Sequence, residues 1–389
     1  MAIISVIVAS SNGIGLIFIK EVFDLGFMSG FGQLLFLTSI FFLNFMARIT
    51  PSPLMPQIEA DLGLDHAAAG SFFLIISAGY FIGLLGSGFI SSKITHRGTI
   101  IMSAMAVGIA LLCISLSQDL WTIRLSFLFL GVAAGNYLPS GIAALTSLVE
   151  QQHWGKALAV HELAPNVSFV AAPFLAEALM GWFSWKGVMV LLGVSSILLG
   201  TTFACMGKGG RFYGEAPGIP AVKGLFREPA FWIMVVLFSL GVSSTLGIYT
   251  MLPLFLITER GMERGWANSL VGFSRISGIF MSMVAGVFND RLGPKRTIFT
   301  VFVVTGILSI LLGVLAGPWT AFFVFLQPLV AVCFFPPGFA ALSSLVAPSA
   351  RNIAVSFTTP LAIVGGGGLI PLMIGMSGDM GCFGTGIAV

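Results

Sequence analysis

Two arginines, Arg48 and Arg275, lie inside long apolar runs of the sequence. An arginine within a lipid bilayer costs at least ~2.5 kcal/mol on insertion scales, so each needs a partner, a water-filled cavity or a function. The guanidinium group stays charged and can form a bidentate hydrogen-bonded pair with a carboxylate or a phosphate. Both residues are therefore candidate anion ligands. The alternatives are a structural ion pair and, for Arg48, a side chain that reaches the membrane interface.

His161 and Glu162 form an adjacent ionisable pair inside another apolar run. A histidine exchanges its proton near neutral pH, and a desolvated glutamate can do the same, so either could carry a proton. Neighbouring helical residues point about 100° apart, so at most one of the two faces squarely into a cavity. The alternative is a hydrated helix end near Lys156. Tyr249 and Asn136 could complete a binding site or make interhelical hydrogen bonds.

Transmembrane helices must position these side chains. Hydrophobic residues make up 57% of the sequence and charged residues 8%, which is too few polar groups to cover a water-facing surface. A hydrocarbon core of about 30 Å requires apolar runs of about 20 residues. Such runs occur at 31–58, 66–91, 99–117, 120–149, 156–182, 186–206, 230–258, 267–289, 297–316, 319–347 and 353–378, and a twelfth begins near 380.

Several other chemistries are not supported by the sequence. The four cysteines are spread through apolar stretches without CxxC spacing, so we expect neither a disulfide framework nor a metal site. The glycine-rich segments are not followed by Gly-Lys-Ser/Thr, so hydrolysis of a bound nucleotide is not indicated. A net charge of +3 is too small to indicate nucleic-acid binding. We predict a chain that has no cofactor and is not an enzyme.

The basic residues are distributed unevenly between the two predicted membrane sides. Twelve of the 18 Lys and Arg residues fall on the side of the connection 92–98, and three fall on the other. By the positive-inside rule, the first side is cytoplasmic. This orientation places the polar linker 207–229 and the N-terminus in the cytoplasm of a multi-pass protein of the cell (inner) membrane. Residues 1–30 have no basic leader, and we interpret them as an interfacial or extra helix.

The sequence contains an internal duplication. YLPSGIAALTSLV, from Tyr137 to Val149, matches FFPPGFAALSSLV, from Phe334 to Val346, at eight of thirteen positions. The duplication predicts two related bundles, 31–206 and 230–389. The same offset places the counterpart of the sixth span at 383–403, so we expect an incomplete twelfth helix at Val389.

The segment GVFNDRLGPKR, from Gly286 to Arg296, resembles the loop signature of the major facilitator superfamily. LMPQIEADLGLD, from Leu54 to Asp65, is similar to the junction between the family's first two helices. The resemblance extends over the chain from about residue 31. It implies an all-α membrane protein with the major facilitator fold, two pseudo-symmetric six-helix bundles and an incomplete twelfth helix.

In the family, this loop links helix ends across the cytoplasmic gate in the outward-facing state. The residue types suit that role, because Asp290 can accept hydrogen bonds while Arg291 and Lys295 can donate them. The copy in the first half is degraded, with Ser92 and Lys93 in place of the acid and the arginine. The resemblance implies gating roles for Gly286, Asp290, Arg291, Gly293, Lys295, Lys93 and Arg97.

The resemblance also suggests a function. Arg48, about 12 Å of helix before Pro56, resembles an arginine that binds the substrate anion in the organic-anion and organophosphate branches of the family. Arginines in the eighth span bind the anion in its carboxylate carriers, and Arg275 resembles them. We therefore expect a monomeric secondary transporter that moves a small organic anion by alternating access, with His161 or Glu162 coupling transport to protons.

Two other functions stay open. The phenylalanine-rich spans are also compatible with an exporter of amphipathic drugs or lipids, in which the arginines would be structural. Against this, Ala171 to Glu177, AAPFLAE, keeps Pro173 but lacks the glycines that the family's antiporters tend to show in this span. A minor alternative is a non-transporting membrane sensor on the same scaffold.

Overall fold

The computed structural model describes residues 25–215, 219–345 and 351–388, and the regular elements in these ranges are all helical. Nine helices of these ranges are long and apolar enough to cross a membrane. The longest, His66–Leu116, holds two predicted spans, because Thr95, with φ 70°, turns the chain between them. We predicted an N-terminal helix over residues 1–30, and residues 1–24 of it lie outside the described residues.

The first half contains six spans, labelled in chain order. They are α1 (Gly30–Leu62), α2 (66–94), α3 (96–116), α4 (Leu120–Thr146), α5 (Gln151–Met180) and α6 (Trp185–Met206). The second half follows the short linker helix Ile219–Phe226. It consists of α7 (Pro229–Thr258), α8 (Arg264–Ser274 and Gly278–Leu292), α9 (Pro294–Val314), α10 (Pro318–Leu345), α11 (Ala354–Asp379) and α12 (Phe383–Ala388).

The third and sixth helices of each half pack closely at a pair of glycines. A Cβ at Gly108 of α3 would lie 2.6 Å from the carbonyl oxygen of Gly193 in α6. In the second half, a Cβ at Gly313 of α9 would lie 2.1 Å from the carbonyl oxygen of Gly384 in α12. Only glycine allows backbones to approach this closely. The short α12 therefore packs against α9, as α6 packs against α3.

The linker is hydrogen-bonded to the first half next to the turn at Thr95. His96 N donates to the carbonyl of Phe212 at 3.0 Å, and Arg97 N donates to that of Gly210 at 2.8 Å. We call the end of the bundle that contains this segment the linker side. The chain direction places the start of α2 and the end of α11 on the opposite side.

On the opposite side, α2 of the first half packs directly against α11 of the second. A Cβ at Gly70 would lie 2.4 Å from the carbonyl oxygen of Pro371, and one at Gly375 would lie 2.2 Å from that of His66. The Asp379 carboxylate accepts from the backbone N–H groups of His66 at 2.8 Å and Ala67 at 2.9 Å. A carboxylate at the end of α11 thus caps the N-terminus of a helix in the other half.

Two more pairs of helices join the halves on the opposite side. The Arg264 guanidinium of α8 bonds the Glu177 carboxylate of α5 at 2.8 Å, and the Asn268 amide donates to the same carboxylate at 3.2 Å. The Ser52 hydroxyl of α1 donates to the Tyr249 carbonyl of α7 at 3.1 Å. Together with the α2–α11 contact, these bonds close the opposite side.

We expect the Asp379 cap on the N-terminus of α2 to stabilise the closed state of the opposite side. In Asp379→Asn, loss of the charge should weaken the cap by about 1 kcal/mol. A change of that size raises the open population on the opposite side roughly fivefold. Distances between spin labels at the exposed positions 182 and 266, in a background without native cysteines, measure this population. Asp119→Asn is the matched control, because Asp119 caps α4 within one half. An unchanged distance distribution in Asp379→Asn would contradict the role of the cap.

Candidate functional site

A cavity of about 490 Å³ lies between the halves, among α1, α2, α4 and α5 on one side and α7, α8, α10 and α11 on the other. Its linker-side end is accessible to water, since the Glu162 side chain is 55% exposed and Phe339 is 36% exposed. Its inner end is formed by Arg48 and Arg275, which are 8% and 9% exposed. The structure is therefore open toward the linker side and closed on the opposite side.

Arg48 of α1 is held by aromatic rings rather than by a carboxylate. Its guanidinium carbon lies 4.2 Å from the centre of the Tyr80 ring and 4.6 Å from that of Phe45. Its Nε is buried without a hydrogen-bond partner, and no carboxylate of the described ranges forms an ion pair with it. Cation–π attraction offsets part of the desolvation cost and leaves the N–H donors of the group available.

Arg275 occupies the break between the two parts of α8. Its guanidinium carbon lies 4.7 Å from the Tyr249 ring and 5.4 Å from the Phe169 ring, and Nη2 donates to the Thr245 carbonyl at 3.1 Å. That carbonyl belongs to a π-helical turn of α7, Ser243–Gly247, where the usual helical pairing is interrupted. Its Nε is also buried without a partner.

The rings beside the two arginines contact each other, and we call Phe45 and Phe169 together the aromatic floor. The rings of Phe45 and Phe169 meet edge to face with centroids 5.1 Å apart. Steps of 4.6, 5.1 and 5.4 Å thus connect Arg48 to Arg275 through these two rings. Tyr249 lies behind the floor, where it is fully buried and its hydroxyl donates to the Phe169 carbonyl at 3.1 Å. Tyr249 therefore supports Arg275 and does not line the cavity.

His161 and Glu162 lie at a break in α5 and point in different directions. Glu162 lines the cavity, whereas His161 is fully buried and stacks on Phe41 at 4.4 Å. The Tyr137 hydroxyl is 2.7 Å from the Leu37 carbonyl and 3.2 Å from His161 Nε2. A carbonyl can only accept, so the hydroxyl donates to Leu37 and accepts from Nε2–H. In neutral His161 this leaves Nδ1 without a proton, 3.6 Å from Glu162 Oε1.

Asn136 does not lie where we expected a binding residue. Its amide nitrogen donates to the Val132 carbonyl of its own helix at 2.8 Å, and the residue is buried outside the cavity lining. The cavity instead contains Asn166, Thr245 and Thr359 as further polar groups. Threonine is common in membrane helices, so the sequence carried no signal that would have singled out the last two.

Most of the expected gating residues lie at the linker-side ends of the helices. Asp290, Arg291, Lys295 and Lys93 are exposed, and Gly293 has φ 77°, which a glycine adopts without strain. A Cβ at Gly286 would meet no atom within 4 Å, so this glycine makes no close helix contact in the present conformation.

Arg97 differs from the other expected gating residues. Its guanidinium donates to three carbonyls at the C-terminal end of α6, those of Phe203 at 3.2 Å, Ala204 at 2.8 Å and Gly207. A cation at this end satisfies unpaired carbonyls and favours the helix dipole. In this conformation Arg97 anchors α6 within the first half and does not face the second.

Within the described ranges, no group of three or more His, Cys, Asp and Glu side chains could hold a metal ion. The fold and the cavity define a class of protein: a multi-pass membrane protein whose two six-helix halves enclose a central cavity. The chain belongs to the major facilitator superfamily, whose family model matches residues 37–371. The predicted family and fold are confirmed, and the chain is a member of a family of membrane transporters.

The chain is similar to the multidrug resistance protein MdtL of Shewanella sp. (strain ANA-3), with 22% identity over 265 residues that cover 66% of each chain. It is 22% identical over 328 residues to the membrane sensor protein UhpC of Escherichia coli (strain K12), covering 76% of this chain and 72% of that one. It therefore spans about two thirds of the length of these relatives.

A solved structure with a similar fold is that of a bacterial homologue of the human lysosomal transporter Spinster, in an inward-facing, unoccupied conformation. The TM-score is 0.76 at 16% identity, and the match covers 90% of this chain and 83% of the other. This likeness supports the fold alone.

The bonds around Tyr137 generate a prediction about stability. Tyr137→Phe leaves the buried Leu37 carbonyl and His161 Nε2 without their partner, which should cost about 1–3 kcal/mol. We expect a lower Tm for the purified protein. Tyr213→Phe is the control, because Tyr213 is exposed on the linker. Equal Tm values for Tyr137→Phe and the unaltered protein would show that the buried hydroxyl contributes nothing.

Proposed function

We propose that this protein is a secondary active transporter that moves a small organic anion of the carboxylate type by alternating access. The observation that carries the proposal is a pair of buried arginines in one central cavity, neither of which forms an ion pair with a carboxylate of the described residues. A buried cation that no protein anion compensates favours an anionic ligand, and the energy of such a pair is large where water is excluded.

The positions of the two arginines fit alternating access. Arg48 belongs to the first half and Arg275 to the second, so an anion between them would contact both halves. The positive-inside pattern makes the linker side cytoplasmic, so this conformation would face inward. We propose that Asp290, Arg291 and Lys295, with Lys93 opposite, close the linker side in the other conformation, as the sequence signature suggests. The halves would be 31–206 and 230–389, joined by the cytoplasmic linker 207–229.

Proton coupling would use Glu162 with His161. Nδ1 of neutral His161 carries no proton and lies 3.6 Å from Glu162 Oε1, so the two groups are placed to exchange a proton. Tyr137 and Tyr80 also lie in the electrostatic environment of Glu162. Glu162 lines the same cavity as Arg48 and Arg275, so its neutralisation would make the cavity more positive and favour anion binding. Proton and anion would then move together.

Two alternatives have specific support. The name of MdtL and the phenylalanine-rich cavity wall favour an exporter of amphipathic drugs or lipids. The name of UhpC favours a membrane sensor. In both alternatives the buried arginines could be structural, so the arginine variants test the proposal.

Arg48→Ala and Arg275→Ala should each lower uptake of a carboxylate into proteoliposomes at least tenfold. The reason is that a charge-assisted hydrogen bond contributes about 1.5–3 kcal/mol. Arg48→Lys should recover part of the uptake, because it keeps the charge but not the fork. Arg124→Ala is the matched control, since Arg124 lies in a membrane helix outside the cavity lining. Dye efflux that is insensitive to both arginine substitutions would favour the exporter.

Glu162→Gln should separate coupling from binding. The variant cannot release a proton, so uptake driven by a pH gradient should fall at least tenfold, whereas exchange of internal for external anion should persist. Glu150→Gln, an exposed residue at the start of α5, is the control. Loss of both activities would assign Glu162 to substrate binding or to the fold, and retention of both would exclude it from coupling.

A further inference from the structure

We propose, building on the anion transport proposed above, that the substrate is an aromatic carboxylate. Its carboxylate forms two hydrogen bonds with Arg48, and its ring lies on the aromatic floor of Phe45 and Phe169, which leads to Arg275. The inference draws on the hydrogen-bonding state of the two arginines, the chemistry of the cavity wall and the shape of the floor.

The two arginines differ in the number of free N–H donors. One donor of Arg275 is held by the Thr245 carbonyl, whereas Arg48 makes no hydrogen bond to a described residue. The rings of Tyr80 and Phe45 contact Arg48 through cation–π attraction, which leaves its donors free. A carboxylate matches this free fork with two parallel bonds. Arg48 is therefore the primary site for the carboxylate.

The cavity wall has few groups that could bind the hydroxyls of a sugar. Beside the arginines and Tyr80, the polar side chains that line it among the described residues are Glu162, Asn166, Thr245 and Thr359. A polyhydroxylated anion carries a hydroxyl on nearly every carbon, and each hydroxyl buried without a partner costs free energy. The wall thus selects against sugar phosphates and favours a substrate with an apolar body.

Aromatic rings make up a large part of the wall. Phe41, Phe45, Phe169, Phe335 and Phe339 all line the cavity. A planar ring packs on such rings edge to face or offset, and each pair contributes beyond the area that it buries. An aliphatic body of the same size gains only the burial. This difference is the reason for proposing an aromatic substrate and not merely an apolar one.

The floor sets the length of the substrate. The edge-to-face pair of Phe45 and Phe169 separates the two guanidinium groups, so a ring on this pair has an arginine near each end. A cavity of about 490 Å³ holds one or two rings. A second polar substituent on the ring, opposite the carboxylate, would reach Arg275.

The test measures equilibrium binding of a panel of anions to the purified protein in nanodiscs. The matched pair is benzoate and cyclohexanecarboxylate, which have the same charge and similar size but differ in aromaticity. 4-Hydroxybenzoate tests the second substituent, and succinate and glucose 6-phosphate represent the other anion classes. We expect 4-hydroxybenzoate to bind most tightly, benzoate to bind about three- to tenfold more tightly than cyclohexanecarboxylate, and the last two to bind weakly.

Phe169→Leu tests the floor directly, because it removes one ring of the floor and keeps an apolar side chain. It should lower the affinity for benzoate about three- to tenfold and leave that for cyclohexanecarboxylate unchanged. Phe299→Leu is the control, since Phe299 is 71% exposed on the outer surface of α9. Equal affinities for the matched pair, or tighter binding of succinate or glucose 6-phosphate, would overturn this inference and leave anion transport standing. If no anion binds, or if binding persists in Arg48→Ala, the proposed function fails as well.

Discussion

The central constraint on this molecule is the burial of two guanidinium groups for which the described residues provide no carboxylate. Desolvation of a charge costs several kcal/mol, and a protein normally offsets that cost with an ion pair. Here the offset comes from the Tyr80 and Phe45 rings around Arg48 and from Tyr249, Phe169 and the Thr245 carbonyl around Arg275. Positive charge is therefore held in place without an ion pair to a described carboxylate.

The scaffold is symmetric and the site is not. Each half has a close glycine contact, α3–α6 in the first and α9–α12 in the second, although the glycines stand at different positions of the repeat. The arginines do not follow the repeat: Arg48 is on α1 and Arg275 is on α8. The position equivalent to Arg275 in the first half is Ser77, which borders a small space next to Arg48. The duplication therefore accounts for the two related bundles, and the two arginines are single-residue departures from it.

The closure on the opposite side uses interactions of a different kind. Direct backbone packing at Gly70 and Gly375 requires that no side chain intervene, and the Asp379 cap requires that the N-terminus of α2 stay within hydrogen-bond reach. These contacts are short-ranged, so a small separation of the halves breaks them together. In this conformation the cavity is therefore closed on the opposite side and exposed on the linker side.

The sequence by itself determined the membrane class, the helical spans and the duplication, because hydropathy over about 20 residues and internal similarity need no knowledge of packing. The motif from Gly286 to Arg296 led to the correct family. Charges in the membrane singled out Arg48, Arg275, His161 and Glu162, and all of these except His161 line the cavity. The division of span eight at Arg275 and the π-helical turns were not predicted, since they depend on contacts between helices.

Tertiary structure alone decided which faces of the helices meet. A helix in lipid is apolar on most sides, so its sequence lacks the amphipathic period that would mark the cavity face. For this reason the sequence could not place Tyr249 behind Arg275, turn Asn136 toward its own helix, or direct Arg97 to the end of α6. Each of these outcomes depends on a partner more than 50 residues away or on a rotation of about 100° per residue.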